Sequence, residues 1–143
     1  MPADIIEPLE ILMFEAIGMT ALALSGASTR ELTLSGWRAL VILGRADQTR
    51  VGSVAQAVGM SLPSASRLIR RLERDGLVVT ERDETDRRAT LVSLTRKGHR
   101  LRDLVVKRRR VLMEEALAAR SPQIPRGLVP GLTAIARAFD SYS

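Results

Sequence analysis

Apolar residues recur at helical spacing from the start of the chain. Ile5, Leu9, Leu12, Met13, Ala16, Ile17 and Leu24 line one side of an amphipathic helix over residues 4–27. A polar break, Ser25 to Glu31, ends that helix. Ser35 is placed to cap a short helix whose buried candidates are Trp37, Leu40, Val41 and Leu43. Another short helix runs from Arg50 to Val58, and Gly59, free of a Cβ, suits a left-handed stop. Ser61 can cap the next helix, and Pro63 is tolerated in its first turn, where a backbone N–H is not needed. That helix continues through Arg74 and stops at Gly76.

The period then changes. Leu77 to Arg82 and Thr90 to Leu94 are rich in β-formers, and the charged stretch Asp83 to Ala89 between them reads as a hairpin tip. Thr95 begins a long helix to about Arg120. Pro122, Pro125, Gly127, Pro130 and Gly131 then precede a last helix, roughly Leu132 to Phe139. Two short helices joined by a tight turn and followed directly by a β-hairpin predict a winged helix-turn-helix. The fold class is mainly α with a small β-hairpin wing, flanked by N- and C-terminal helices.

The helix over 61–74 separates its residues by angle. Ala65, Leu68, Ile69 and Leu72 fall within one arc of about 100° and form a core stripe. Arg67, Arg70 and Arg74 cluster opposite, with Pro63 and Ser66 beside them and Arg71 on the flank. Four arginines on one short helix, with only Glu73 and Asp75 near, repel one another unless anions lie opposite. Arginine forks onto guanine O6 and N7 in the major groove, so this face reads as a DNA-recognition surface. Ser61 and Pro63 open this recognition helix, its N-terminal half from Ser64 through Ser66 and Arg67 to Arg70 is the base-reading part that reaches deepest, and Arg71 and Arg74 are placed for phosphate.

Charge supports a DNA face confined to part of the molecule. Residues 1–49 hold 3 basic and 6 acidic side chains, residues 50–100 hold 11 and 6, and residues 101–143 hold 8 and 4. Several other functions lack their chemistry. With no cysteine there is no disulfide framework, thiolate zinc site or thiol switch. His99 is the single histidine and reads as a surface residue; the serines have no base at a recognisable spacing, and no phosphate loop or metal-ligand spacing occurs. An enzyme is not expected, nor any cofactor. Asp4, Glu7 and Glu10 replace the basic leader of a secretory signal, and Glu10 and Glu15 make the apolar stretch Leu9 to Ala27 too polar to span a bilayer. A cytoplasmic protein with no membrane partner is the expectation. Aromatics are 3% of residues, which gives no support for stacking an aromatic ligand. Trp37 reads as a core anchor of its short helix beneath the wing. The run Lys107-Arg108-Arg109-Arg110 reads as solvated, on a helix whose Leu101, Leu104, Val105, Val111, Leu112 and Ala116 sit at core-like spacing.

The stretch Leu72-Glu73-Arg74-Asp75-Gly76-Leu77-Val78, the tip Asp86-Arg87-Arg88-Ala89 and the run Val92-Ser93-Leu94-Thr95-Arg96-Lys97-Gly98 resemble the MarR (multiple antibiotic resistance regulator) family. The resemblance implies a homodimeric winged-helix regulator, dimerised through its terminal helices. It carries over Arg87 and Arg88 as minor-groove wing residues, with Asp86 as their partner. Some members sense peroxides through a cysteine, and the absence of cysteine here excludes that mechanism. Many members also bind aromatic acids between the dimerisation and DNA-binding regions, so a small-molecule effector is an optional further partner. The expected division is 1–34 for dimerisation, 35–95 for DNA and 96–143 for dimerisation. The expected function is a repressor that binds double-stranded DNA at an inverted repeat. The rival reading is a sequence-tolerant architectural or RNA-binding winged helix, and the scarcity of aromatics argues against single-stranded RNA.

Overall fold

The computed structural model describes residues 3–27 and 32–140. A 3-10 turn, Ala3–Ile5, leads into α1 (Ile6–Ser25), followed by α2 (Leu34–Leu43), β1 (Thr49–Arg50), α3 (Val51–Val58) and α4 (Leu62–Arg74). The hairpin β2 (Val78–Arg82) and β3 (Thr90–Leu94) comes next, then α5 (Arg96–Arg120) and α6 (Leu128–Asp140). The architecture is the mainly helical winged helix-turn-helix that the hydrophobic pattern predicts. Part of the polar break before α2, residues 28–31, lies outside the described residues.

Four boundaries differ from expectation, each for a local reason. Thr33, not Ser35, caps α2: its backbone is extended and its Oγ1 accepts from the Gly36 amide at 3.1 Å, which leaves Ser35 inside the first turn. Arg50 is not helical but strand, because Thr49 and Arg50 pair with Val92 and Leu91 to make a third strand in the order β1-β3-β2. Two residues carry no period, so nothing in the pattern marks them. The last helix starts at Leu128 rather than Leu132, since Pro130 falls in its first turn, where proline removes no needed donor. The N-terminal segment becomes α-helical only at Ile6.

Both helices of the helix-turn-helix, α3 and α4, end in Schellman motifs. Gly59 (φ 75°) lets Met60 N–H donate to the Ala55 carbonyl, and Gly76 (φ 73°) lets Leu77 N–H donate to Leu72. Arg38 of α2 adds a guanidinium bond to the Ala57 carbonyl at the end of α3. The reading helix is therefore fixed at both ends.

The interior divides into two clusters that share α2 as a wall. Leu40 and Leu43 pack with Val54, Ile69, Leu72, Val78 and Val92 under the helix-turn-helix and the sheet. Trp37 faces the other way and packs with Ala23, Leu24 and Val105 of α1 and α5. It thus joins α2 to the long helices, not to the wing as expected, because it lies on the far side of Leu40 from Leu43, about 120° from Leu43 on the helix wheel.

The basic run on α5 is likewise not simply solvated. Arg108 Nε donates to the Ala23 carbonyl at 3.1 Å near the end of α1. The Arg109 guanidinium lies over the Trp37 ring, 4.9 Å from its centroid, and reaches Thr20 Oγ1 at 3.5 Å. Lys107 and Arg110 remain exposed.

Much apolar surface stays uncovered. On α1 only Thr20, Ala23 and Leu24 are buried, while Phe14 is 74% exposed and Leu12, Met13 and Ile17 about half exposed. No residue of α6 is buried. At 20 residues and mean hydropathy 1.4, α1 is long and apolar enough to cross a membrane by length and composition, a test that the core helix of a soluble protein also passes. Its last turns are instead held by α5 through Ala23, Leu24 and the Arg108 bond.

Candidate nucleic-acid interface

Ser61 begins α4 as predicted: its extended backbone turns the chain and its Oγ accepts from the Ser64 amide at 3.3 Å. Ala65, Ile69 and Leu72 are buried and Leu68 is half-buried against the same core. This anchors one face and turns the other outward. Pro63, Arg67, Arg70, Arg71 and Arg74 are exposed, and Ser64 and Ser66 are half-buried at the near edge. Arg67 donates to Ser64 Oγ at 3.1 Å, which draws its guanidinium toward the helix N-terminus. Among the described residues, Arg70 and Arg74 enter no ion pair. Glu73, the carboxylate beside them, is turned away: its Oε1 accepts from both Thr80 N and Thr80 Oγ1. The outward face is left positive.

The wing follows from the register of β2 and β3, in which Arg82 opposes Thr90. Asp83 N–H donates to the Ala89 carbonyl and Ala89 N–H to Asp86, which closes the tip. Asp83 is buried at its base. One carboxylate oxygen accepts from Thr85 N (2.9 Å) and Thr85 Oγ1 (2.7 Å), the other from the Arg50 guanidinium (2.7 Å). The Thr85 bonds, then the Arg50 guanidinium, lower its pKa from 3.8 to about 2. A lowered carboxylate pKa contributes stability above its unfolded value, lost as pH falls from about 4 toward 2. The tip is therefore locked at neutral pH.

Asp86 does not hold the wing guanidiniums, as the resemblance implied. Its Oδ1 accepts from the Arg88 backbone amide at 3.2 Å, and its Oδ2 lies 3.8 Å from Arg50. The tight turn aims the carboxylate at the following main chain and back toward β1. The Arg87 and Arg88 side chains are left exposed and outside any ion pair among the described residues. Arg50 is the residue that sequence reasoning missed, since its role depends on the two-residue strand that sets it beside the hairpin.

Helix and wing face one cleft of about 440 Å³, lined among others by Arg50 of β1, Val51, Gly52 and Gln56 of α3, Leu62 and Ser66 of α4, and Arg88 and Thr90 of the wing. The fold thus brings Ser66 and Arg88 to opposite walls of one opening. Their neighbours Arg67, Arg70 and Arg87 are also exposed. His99 lies apart, at the start of α5 beside Gly44, Asp47 and Leu94.

The profile of the MarR family matches residues 31–89, the segment from the approach to α2 through the wing tip. The transcriptional activatory protein BadR of Rhodopseudomonas palustris is 35% identical over 89 residues. That match covers 60% of this chain and 48% of BadR, so the chain spans about half of that relative's length. Solved structures match along nearly the whole chain. RV1404 of Mycobacterium tuberculosis superposes with TM-score 0.85 at 24% identity, covering 98% of this chain and 95% of that one. CouR of Rhodococcus jostii RHA1, solved bound to p-coumaroyl-CoA, gives TM-score 0.71 at 25% identity, covering 96% and 92%. The MarR-family match thus falls on the segment that carries the recognition helix and the wing tip, and the chain as a whole has the winged-helix fold of these solved structures.

Proposed function

We propose that the chain is a homodimeric, sequence-specific repressor of transcription acting in the cytoplasm. The carrying observation is the cleft between α4 and the wing, with Arg88 on its wall and Arg67, Arg70 and Arg87 exposed on the same two elements. In this reading α4 enters a major groove with Ser61 and Pro63 at its start, Ser64, Ser66, Arg67 and Arg70 meet base edges, and Arg71 and Arg74 meet phosphate. Arg87 and Arg88 enter the flanking minor groove, whose narrow, electronegative form attracts guanidinium. Asp86 contributes by shaping the turn that carries them.

Residues 35–95 would bind DNA, and 1–34 with 96–143 would form the dimer. The uncovered apolar faces of α1 and α6 support this division, because a second copy would remove both from water. Two copies about 34 Å apart then require an inverted repeat. A titration against a selected site and a scrambled duplex checks the function. A regulator prefers its site by ~10³-fold or more. Equal affinity for the two duplexes would favour the architectural reading.

Control by a small aromatic acid is a second element, favoured by one observation. Trp37 Nε1 is buried without a hydrogen-bond partner, and the Arg109 guanidinium lies over the same ring. A buried, unpaired donor costs about 1–3 kcal/mol, and a carboxylate or hydroxyl could satisfy it. CouR, of the same fold, is seen with a hydroxycinnamoyl thioester. Since Trp37 is the one tryptophan in the chain, its fluorescence reports on this place directly. Titration with hydroxylated benzoates and cinnamates should give a saturable change in emission. A flat response across that series would remove the aromatic-acid reading.

A further inference from the structure

We infer that Arg50, although half-exposed and on the wall of the same cleft, is the positioning residue of the wing, setting where Arg88 points through Asp83 and Asp86 and not through a DNA contact of its own. This rests on the wing-in-groove reading above. One guanidinium spans two carboxylates of the hairpin: NH2 bonds Asp83 Oδ2 at 2.7 Å and NH1 lies 3.8 Å from Asp86 Oδ2. The two carboxylates hold different parts of the wing. Asp83 sits at its base, with a side chain 12% exposed, and organises Thr85. Asp86 is at the tip and accepts from the backbone amide of Arg88. A continuous path therefore runs from Arg50 through Asp86 to the main chain of the residue that faces the cleft.

The other end of the path is rigid. Arg50 pairs with Leu91 on β3 and directly precedes the buried Val51 of α3, so its backbone is fixed by the sheet and the helix-turn-helix together. The guanidinium thus ties the wing to the unit that carries α4. Such a tie is useful because a two-stranded hairpin is only marginally ordered by itself. It also keeps Asp83 and Asp86 from repelling the minor-groove phosphates, since their charge is met by Arg50 and not by the arginines meant for DNA. An exposed ion pair alone contributes little, but here the Asp83 carboxylate is buried and receives three bonds.

The test is a double-mutant cycle on the full chain, titrated against a duplex carrying the selected site. Arg88→Ala should weaken binding about tenfold, as loss of a desolvated arginine contact does. Arg50→Met should cost a similar factor in the wild-type background and little once Arg88 is alanine, while Arg50→Lys should recover part of the loss. Amide exchange of the free protein gives a reading independent of DNA: in Arg50→Met the Arg88 and Ala89 amides should exchange faster, with those of α4 unchanged. Additive losses from Arg50→Met and Arg88→Ala would mean that Arg50 touches DNA itself, and would overturn the inference. So would unchanged affinity in Arg50→Met, or unchanged exchange at Arg88 and Ala89. If Arg88→Ala alone leaves affinity unchanged, the parent wing reading fails, and the clasp loses its function even if exchange shows that it holds the tip.

Discussion

Gly98→Ala lowers the unfolding free energy by roughly 2–3 kcal/mol, at the upper end of what overpacking costs. Gly98 is buried in the first turn of α5, where that helix crosses the junction of α4 and β2. A Cβ there would lie 2.1 Å from the Leu77 carbonyl oxygen. The obstruction is main chain and cannot rotate away. The same carbonyl accepts from Thr95 N–H at 3.1 Å, and Thr95 Oγ1 donates to the Gly76 carbonyl at 2.6 Å, so the junction is held on both sides. Relief requires α5 to tilt away from the wing's first strand. Urea unfolding followed by circular dichroism measures the loss as a lowered midpoint. Gly52→Ala is the control: nothing lies within 4 Å of its Cβ, and alanine favours helix, so its midpoint should hold or rise. Equal, small shifts for both would show that α5 does not approach the junction as closely as described.

Arg70→Ala weakens binding to the selected site by ~1–3 kcal/mol, about fivefold to 150-fold, and relaxes preference at the base it reads. Arg70 stands near the middle of the outward face of α4, exposed and outside any ion pair among the described residues. Nothing in the fold depends on its charge, so stability should be unaffected. Arg74→Ala, near the C-terminus of α4, should weaken all duplexes alike and reduce the salt dependence by about one phosphate contact. Binding isotherms on the site and its single-base variants separate the two. If Arg70→Ala lowers affinity uniformly, α4 is oriented along the backbone and does not read bases.

The elements that carry this account were legible where periodicity and end signals coincide. In α4, Ser61, Pro63, the Ala65–Ile69–Leu72 stripe and Gly76 all point to one helix, and its outward arginines follow from the same angles. The hairpin was legible because Val78–Arg82 and Thr90–Leu94 are β-rich on either side of a charged turn. What escaped depends on neighbours distant in sequence. β1 is two residues long, and only its pairing with β3 reveals that Arg50 serves the wing. Arg108 and Arg109 look like part of a solvated run until α1 and Trp37 are placed against them. Charge counting treats all basic residues alike, whereas folding assigns Arg50, Arg108 and Arg109 to internal partners and leaves Arg70, Arg74, Arg87 and Arg88 outward.

The central claim is that two copies of this chain read DNA together, each with one helix and one wing. Selection of bound fragments from a random duplex library, at near-physiological salt, tests it most directly. The expected result is an inverted repeat with half-site centres about ten base pairs apart and narrow-groove, A·T-rich flanks. Recovery of fragments with no motif beyond base composition would contradict it, as would a single unpaired half-site.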